Sequence, residues 1–409
     1  MTHRVLGALC FVAIFGCVDI AAAGAQNNEA LGAVTGHVQC SDTQQPARLA
    51  HVVLQPVVDL NSPVLRKDDR GYHPEGTFQL QTVSLDGSFT IPAVPPGRYY
   101  VIAEQDGYIT PLALFTRAQL NDPDEALKQK IARYMTTISV TAGHTTQADV
   151  TVIRGAVIAG MVRFEDGSPG INVGVQLLQR SDKGEWQTVR TGRLASHGMG
   201  GTSYTNDQGA YRFSGLAAGE YMVRANVELN KVTVSYIFAS GGSTGYGDGY
   251  HLRVYPGDAF RPGDAKPVKV EEGEDATSVD VDIPLSKLYT LSGTVIQPNS
   301  ELPVNSARLT LVFADTGEEL TFTDVESDDG SFRFDFVPGG NYILRATNIA
   351  NVERTDVPNC KGCIPPTHLE LKGLATFGDA SLPIQLTSDQ SAVVVQATQS
   401  KKTATAPAQ

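Results

Sequence analysis

Cysteine is scarce in this sequence, and basic residues do not dominate it. Of the 5 cysteines among 409 residues, Cys40, Cys360 and Cys363 lie beyond the first 25 residues. So few thiols cannot form the disulfide framework of a small exported domain, and hydrophobic cores must hold the fold together. The 32 Lys and Arg residues are outnumbered by 44 Asp and Glu residues. This balance argues against a nucleic-acid partner, because such binding needs a basic surface.

Long apolar runs are missing after the amino terminus. A basic start, the apolar run from Val5 to Val18 and a small-residue site predict a signal peptide, residues 1–25, cleaved after Ala25. An alternative uses Cys17 as a lipoprotein attachment site, although Phe15 is bulky for that signal. No later run is long enough for a transmembrane helix. We therefore expect an exported protein, periplasmic, on the cell surface or secreted, with no membrane span after cleavage.

One motif recurs three times. The glycines Gly97, Gly219 and Gly340 each begin the pattern G-x-Y-x-[VL]-x-A, and they lie about 120 residues apart, which is a typical domain length. Alternation with period two places the Tyr, Val or Leu, and Ala side chains on one face of a strand. An aromatic residue stands eight positions before each glycine, behind an Asp-Gly or Asn-Asp-Gln-Gly turn. The sequence therefore contains an internal repeat.

The repeat extends upstream and sets the predicted organisation. Each copy opens on a Gly-x-Val, at Gly36, Gly160 and Gly293, and a proline follows. Short strands between regular turn signals predict an all-β fold of three tandem antiparallel Greek-key β-sandwiches. The expected boundaries are 31–153, 154–285 and 286–397, with a disordered tail at 398–409. A short helix is expected in the first copy between Asp122, as its cap, and Met135.

The whole pattern, G-x-V…P…D-G-x-[FY]…G-x-Y-x-V-x-A, resembles the carboxypeptidase regulatory-like domain, in three copies. That resemblance implies a transthyretin-like or Ig-like sandwich, similar in outline to carbohydrate-binding folds. In that family the domain is an accessory beside a separate catalytic domain, so the resemblance implies no activity of its own. Fold alone does not assign a function.

The sequence offers no convincing catalytic or metal site. No histidine after the predicted leader has a glutamate three residues later, as a zinc carboxypeptidase requires. The Gly-x-Ser-x-Gly match at residues 241–245 lacks the helix that a nucleophile elbow needs, so a glycine-rich loop is favoured. We therefore predict a protein that is not an enzyme, with no catalytic residue, metal or cofactor.

Cys360 and Cys363 belong to the most specific local motif of the sequence, Cys-Lys-Gly-Cys. A c-type haem is excluded because Ile364 stands where histidine is required. A redox pair and a zinc site that also uses His368 stay open, although flanking prolines favour a loop. A disulfide between Cys360 and Cys363 is the preferred interpretation.

The stretch between Tyr236 and Tyr255 is the candidate ligand site. Its glycines predict a loop on which Tyr246 and Tyr250 stack against sugar rings while Asp248 and His251 bond hydroxyl groups. The alternative is that the tyrosines pack on their own sheet. The sequence thus predicts an exported, non-enzymatic binding or scaffolding protein whose partner is a polysaccharide or an envelope protein. Alternatives are an adhesive spacer and an accessory module of a peptidase system.

Overall fold

A computed structural model describes residues 31–57, 65–68, 71–74, 80–115, 119–120, 122–181, 183–189, 202–229, 233–238, 241–246, 250–358 and 367–400. Strand accounts for 59% of the chain and helix for 6%, which confirms the all-β fold class. The strands form three successive pairs of sheets, called here the first, second and third sandwich.

The described part of the first sandwich contains ten strands. These are β1 Gly32–Cys40, β2 His51–Pro56, β3 Leu65–Asp68, β4 Gly71–Pro74, β5 Leu80–Thr82, β6 Ser88–Val94, β7 Gly97–Glu104, β8 Thr136–Val140, β9 Thr145–Gln147 and β10 Val150–Val152. One sheet has the order β10-β1-β6, with β9 also on β1, and the other has the order β5-β2-β7-β8. Phe89 and Ile91 of the first sheet share one apolar core with Val52 and Val101 of the second. Strands β3 and β4 form a separate hairpin.

Twelve strands are described in the second sandwich. These are β11 Ala156–Phe164, β12 Gly174–Arg180, β13 Trp186–Thr188, β14 Thr202–Tyr204, β15 Ala210–Leu216, β16 Gly219–Leu229, β17 Thr233–Phe238, β18 Gly241–Tyr246, β19 Tyr250–Val254, β20 Val268–Val270, β21 Asp275–Ala276 and β22 Val281–Ile283. Its sheets have the orders β15-β11-β21, with β22 on β11, and β13-β12-β16-β19, with β14 and β20 attached. Strands β17 and β18 form a hairpin.

A 3₁₀-helix, Leu285–Lys287, leads into the third sandwich. Its strands are β23 Leu288–Ile296, β24 Ser306–Phe313, β25 Glu319–Val325, β26 Ser331–Pro338, β27 Gly340–Pro358, β28 Thr367–Thr376, β29 Ala380–Leu386 and β30 Gln390–Gln396. The sheets have the orders β26-β23-β30 and β25-β24-β27-β28, with β29 on β27.

All three sandwiches share one connectivity, and it differs from the prediction in one detail. Most strand pairs are antiparallel, as expected. The first strand of each sandwich, however, pairs in parallel with the last: β1 with β9 and β10, β11 with β21 and β22, and β23 with β30. The sequence could not show this, because alternation of apolar residues defines the face of a strand and not its direction.

The repeated tyrosines close the turn that precedes their own strand. Each phenol donates a hydrogen bond to the carbonyl oxygen four residues earlier, and the distances are 2.9, 2.8 and 2.8 Å for Tyr99, Tyr221 and Tyr342. Their rings lie in the sandwich cores. The motif is therefore structural, because a buried hydroxyl must find a partner.

The opening glycines lie on the first strand of each sandwich, where the last strand runs closely beside it. A Cβ at Gly36, Gly160 or Gly293 would overlap a backbone carbonyl, that of Ala148, Val279 or Val393 respectively. A side chain cannot be accommodated so close to backbone, which explains why glycine recurs at this position.

Helix α1, Pro111–Leu114, and helix α2, Glu125–Tyr134, follow β7. The predicted helix is confirmed, but its cap was wrong, because Asp124 and not Asp122 accepts the hydrogen bond from the Leu127 amide, at 2.8 Å. Asp124 immediately precedes the first helical turn, where a carboxylate can reach the free amides. Ile131 and Met135 are buried against the outer face of β7.

The ends of the chain and the boundaries are described in part. The predicted signal peptide lies outside the described residues, as do residues 401–409 of the predicted tail. Thr398, within that tail, exchanges backbone hydrogen bonds with Gly378. The boundaries at Arg154 and Ser286 stay predictions. No helix in the described part of the chain is both long and apolar enough to cross a bilayer.

Candidate functional site

A cleft of about 740 Å³ separates α1 from one end of the second sandwich. We call it the α1 cleft. Its described lining combines apolar side chains, three glutamines, four serine or threonine residues and one arginine. These residues include Gln55, Thr110, Leu112, Leu114, Gln179, Arg180, Ser181, Gln187, Thr188, Val189, Ser214, Leu216 and Tyr221. The volume lies within the usual range of ligand pockets, about 300–1,000 Å³.

The first sandwich supplies the apolar wall of the α1 cleft. Pro111 stands at the first helical position of α1, where its missing amide costs nothing, and it is buried. Leu112 and Leu114 are half-buried and pack against the cluster that joins the helices to β7. The phenol of Tyr100 donates to the Leu120 carbonyl at 3.1 Å and holds the chain that follows α1.

The second sandwich supplies most of the polar groups. Gln179 on β12 lies directly opposite Gln187 on β13, so the two amides share one face of the sheet. Arg180 points to the other face, where its guanidinium lies 5.8 Å from the centre of the Trp186 ring and 3.1 Å from the Glu220 carboxylate. Trp186 packs beside Leu178 and Met222. These contacts orient Arg180 at the rim of the α1 cleft.

Backbone contacts fix the two walls relative to each other. The amide of Gly155, which immediately precedes β11, donates to the Gly107 carbonyl of the first sandwich at 3.1 Å. A Cβ at Gly215 would meet the Tyr108 backbone, and the glycine there has a φ of +74°. The end of β15 therefore lies directly on the first sandwich, and this close approach excludes any residue larger than glycine.

A second set of contacts joins α2 to the second sandwich. Arg133 forms an ion pair with Glu272 at 2.5 Å, and the Tyr134 phenol donates to the same carboxylate at 3.1 Å. Burial and the nearby Glu272 charge raise the pKa of Tyr134 above its ordinary value. The phenol therefore stays a donor, and the walls of the α1 cleft are held at two separate points.

The chemistry of the α1 cleft is that of hydrogen bonding. Among the described residues that line it, Arg180 is the one charged side chain. Burial raises the pKa of Tyr221 to about 12, so its phenol stays neutral and remains bound to the Ala217 carbonyl. Within this lining no histidine or carboxylate stands beside a hydroxyl. Amides, hydroxyls and a guanidinium can bind polar groups, but they supply no base for nucleophilic catalysis.

The structure changes the interpretation of the predicted tyrosine site. The predicted loop is replaced by strands β17, β18 and β19. Tyr250 begins β19, and its phenol oxygen is buried with no hydrogen-bond partner among the described residues. Burial raises the pKa of Tyr250 well above its ordinary value, and Tyr342 of the third sandwich contributes to the rise. Tyr250 is therefore not an exposed stacking surface.

The described structure places two of the other members of that predicted site. Tyr246 ends β18 opposite Thr233. His251 is exposed on β19, where it lies opposite Glu228. Asp248 lies outside the described residues. The glycines of this stretch suggested a loop, but the backbone pairs as a hairpin instead. Glycine weakens the interior of a strand, yet it is tolerated in a hairpin.

The remaining predicted sites are described only in part. The serine of the Gly-x-Ser-x-Gly match lies within strand β18, opposite Tyr236, and the next described element is strand β19. Cys360 and Cys363 lie outside the described residues, so the disulfide stays a prediction. Cys40 is a buried free thiol. Across the described ranges, no three His, Cys, Asp or Glu side chains come together as metal ligands.

Sequence reasoning missed the α1 cleft altogether. Gln55, Gln179 and Gln187 belong to no motif, and glutamines on strands are ordinarily solvated surface residues. They line one cleft only because α1 follows β7 and lies across the α1 cleft from the next sandwich. The one available signal was Trp186, the single tryptophan of the chain, which stands next to Gln187.

Comparisons with known proteins add little beyond the fold. No protein-family model matches the sequence, and a search of curated proteins found no match. Among solved structures, a streptococcal ancillary pilin has a TM-score of 0.32 at 12% identity, over 90% of this chain and 100% of that one. The minor pilin GBS52 of Streptococcus agalactiae has a TM-score of 0.28 at 12% identity, over 62% of this chain and 100% of that one.

A third match is to a longer protein. The Bacillus anthracis TIE protein has a TM-score of 0.19 at 13% identity, over 90% of this chain and 51% of that one. This chain therefore spans about half the length of the TIE chain. At these identities and TM-scores the likenesses carry no functional conclusion.

Proposed function

We propose that this chain is an exported, non-enzymatic carbohydrate-binding protein that holds a segment of polysaccharide in the α1 cleft. The observation that carries the proposal is the lining of that cleft, in which three glutamine amides and four serine or threonine hydroxyl groups surround an apolar wall.

Sugars present both kinds of surface that the α1 cleft offers. Their C–H faces pack on apolar side chains, here Leu112, Leu114 and Val189, while their hydroxyl groups exchange hydrogen bonds with amides. An amide both donates and accepts, so a facing pair such as Gln179 and Gln187 suits neighbouring hydroxyls. Arg180 would add a bidentate site for an acidic sugar. Its position at the rim favours a chain that runs through the cleft.

Binding without turnover fits the same lining. Glycoside hydrolysis uses a pair of carboxylates on either side of the scissile bond. The described lining of the α1 cleft contains no carboxylate. The repeated motif's resemblance to the carboxypeptidase regulatory-like domain, an accessory module similar to carbohydrate-binding folds, supports the same class.

The test is binding of the exported chain to a panel of polysaccharides and cell-wall fragments. The double variant Gln179→Ala, Gln187→Ala should weaken binding about tenfold, because it removes two net hydrogen bonds. The matched control is Gln385→Ala, an exposed glutamine on β29 of the third sandwich, which should leave binding unchanged. A second variant, Tyr246→Ala, tests the site that the sequence suggested.

Each outcome selects one conclusion. Loss of binding only in the Gln179, Gln187 variant supports the α1 cleft. Loss only in the tyrosine variant keeps the carbohydrate class and moves the site to β18 and β19. If no glycan binds the unchanged chain, the carbohydrate class is wrong.

A second candidate, a rigid spacer, rests on the junction between the second and third sandwiches. Arg261 pairs with Asp315 at 2.9 Å and lies 4.5 Å from the centre of the Phe313 ring. Glu165 accepts two hydrogen bonds from Ser286, each at 2.7 Å. A chain so braced would keep a fixed length, and small-angle scattering would show one extended shape that does not change with salt. Free bending between the sandwiches would reject the spacer.

A further inference from the structure

Strand β28 is the outermost strand of the larger sheet in the third sandwich. It pairs with the far half of β27, from Pro358 back to Ala350. On its other side, no described strand pairs with it. An edge strand of this length presents a row of free backbone donors and acceptors, which is a template for pairing with another strand.

The far half of β27 and its partner β28 form a ribbon that runs beyond the sandwich. Pairing of β24 with β27 ends at Ala350. Past that point the side chain of Asn305 continues the pattern, because its amide exchanges hydrogen bonds with both backbone groups of Val352, at 2.8 and 2.9 Å. Leu371 and Leu374 on β28 are 56% and 62% exposed. Two strands alone are marginally stable in water, so such a ribbon gains from a further strand.

The sequence of β28 is complementary to itself. In an antiparallel pair of two copies centred on Leu371, Glu370 of each copy lies opposite Lys372 of the other. Both side chains are exposed. This register keeps every residue on the face it already occupies, whereas a shift of one residue would place Glu370 opposite Leu371. Opposite charges directly across a pair of strands are stabilising, and this arrangement forms the pair twice.

The other edge of the ribbon is less suited to such pairing. An antiparallel pair of β27 strands centred on Arg354 would place two arginines opposite each other, and Pro358 lacks an amide to donate. The Arg354 guanidinium is already bound to the Asn305 carbonyl. Strand β28 also has a bulge, since Leu374 is an extra residue between Gly373 and Ala375. The regular part of the edge is therefore centred close to Leu371.

We infer that two copies of this chain associate edge to edge along β28, antiparallel, with Leu371 at the two-fold axis and Glu370 opposite Lys372 of the other copy. The larger sheets of the two third sandwiches become one continuous sheet. The α1 cleft of each copy stays outside the contact, so this association is independent of the proposed carbohydrate binding.

The test is the molecular mass of the full exported chain by sedimentation velocity. We expect a dimer that the variant Glu370→Lys weakens about tenfold, because it places two lysines opposite each other at both positions. The complementary variant combines Lys372→Glu with Glu353→Lys. This double change reverses the ion pair within the ribbon, in which the Lys372 Nζ and Glu353 Oε2 atoms lie 3.2 Å apart. Alone, it should also weaken the dimer about tenfold. A one-to-one mixture of the two variants should restore the dimer, since each lysine then meets a glutamate.

Crosslinking gives an independent readout of the register. In a background with Cys360→Ser and Cys363→Ser, Leu371→Cys should form an intermolecular disulfide, because paired residues of antiparallel strands lie about 4.5–5.5 Å apart. The matched control is Val394→Cys, at a position on β30 that is 54% exposed, and it should not crosslink.

Three results would overturn the inference. The first is a chain that is monomeric at every concentration, and the second is a dimer that Glu370→Lys leaves intact. The third is a dimer that crosslinks in the Val394→Cys variant and not in the Leu371→Cys variant, because the contact would then lie elsewhere on the chain.

Discussion

In the first sandwich the chain that leaves β7 folds into α1 and α2, whereas in the third sandwich β27 runs on past its neighbour and returns as β28. The insertion point is the same, after the strand that carries the repeated tyrosine. Helix α2 buries Ile131 and Met135 against the sheet. Strand β28 leaves Leu371 and Leu374 exposed.

All three sandwiches share a frame, which consists of the strands and connections common to them. The additions are the segments that the first and third sandwiches insert after the strand with the repeated tyrosine. The frame needs glycine where the strands cross and tyrosine where the turn closes, so its residues repeat. The additions are free to differ because they pack on the outside of the frame or leave it. In the first sandwich the addition forms a wall of the α1 cleft, and in the third it offers an edge to another chain. Loops and insertions on a rigid scaffold are a common place for function.

The largest effect should come from the helical insertion. Ile131→Ala removes a side chain that is 3% exposed between α2 and the sheet, so it should lower the free energy of unfolding by about 2–5 kcal/mol. This loss is measured by urea denaturation followed by circular dichroism, in which the first sandwich should unfold at a lower urea concentration. An unchanged midpoint would mean that α2 does not contribute to this core.

A smaller effect is expected at the start of the same helix. Asp124→Ala removes the cap on the Leu127 amide and should cost about 1 kcal/mol in the same denaturation. Asp122→Ala is the matched control, because Asp122 does not cap the helix, and it should change the midpoint little. Equal losses in the two variants would contradict the assigned cap.

The ribbon should respond far less to the same kind of truncation. Leu374 is 62% exposed, so Leu374→Ala should change the free energy of unfolding by no more than about 0.5 kcal/mol. Comparison with Ile131→Ala in identical urea series provides the measurement. A loss as large as that of Ile131→Ala would show that the ribbon packs on its own sandwich.

The smallest effect is a pH dependence at the contact between α2 and the second sandwich. The pKa of Tyr134 is raised above its ordinary value, first by burial and then by Glu272. Its contribution to stability is therefore complete below about pH 10 and is lost as the pH rises through the raised value. Urea midpoints measured across this range should fall more for the unchanged chain than for Tyr134→Phe. Equal slopes would reject a role for this phenol.

The sequence predicted the frame well and the candidate site poorly, for physical reasons. The frame depends on local signals, such as the Asp-Gly turns and the alternation around Tyr99, Tyr221 and Tyr342, which act within one hairpin. The α1 cleft depends on how consecutive sandwiches meet. Gly215 and Gly155 permit that close approach, but neither glycine differs in sequence from one in an ordinary turn.

The loop predicted around Tyr246 and Tyr250 differs from the structure for a related reason. Glycines around Tyr246 and Tyr250 suggested a loop, yet the backbone pairs as β17 and β18, and Tyr250 is drawn inward beside the third sandwich. Burial by a neighbouring sandwich is not visible in the composition of a single segment. The same limit hid the role of α1, whose apolar residues serve both the helix core and the α1 cleft.

The most direct test of the proposed carbohydrate site is the fluorescence of Trp186 during titration with polysaccharides. The chain has 1 tryptophan, and its ring lies against Arg180 at the rim of the α1 cleft. A sugar that engages Arg180 and Gln187 should change the emission saturably, and the change should shift to about tenfold higher concentration in the Gln179→Ala, Gln187→Ala variant. Glycan binding that leaves the Trp186 emission unchanged, or no binding by any member of the panel, would contradict the assignment of the α1 cleft.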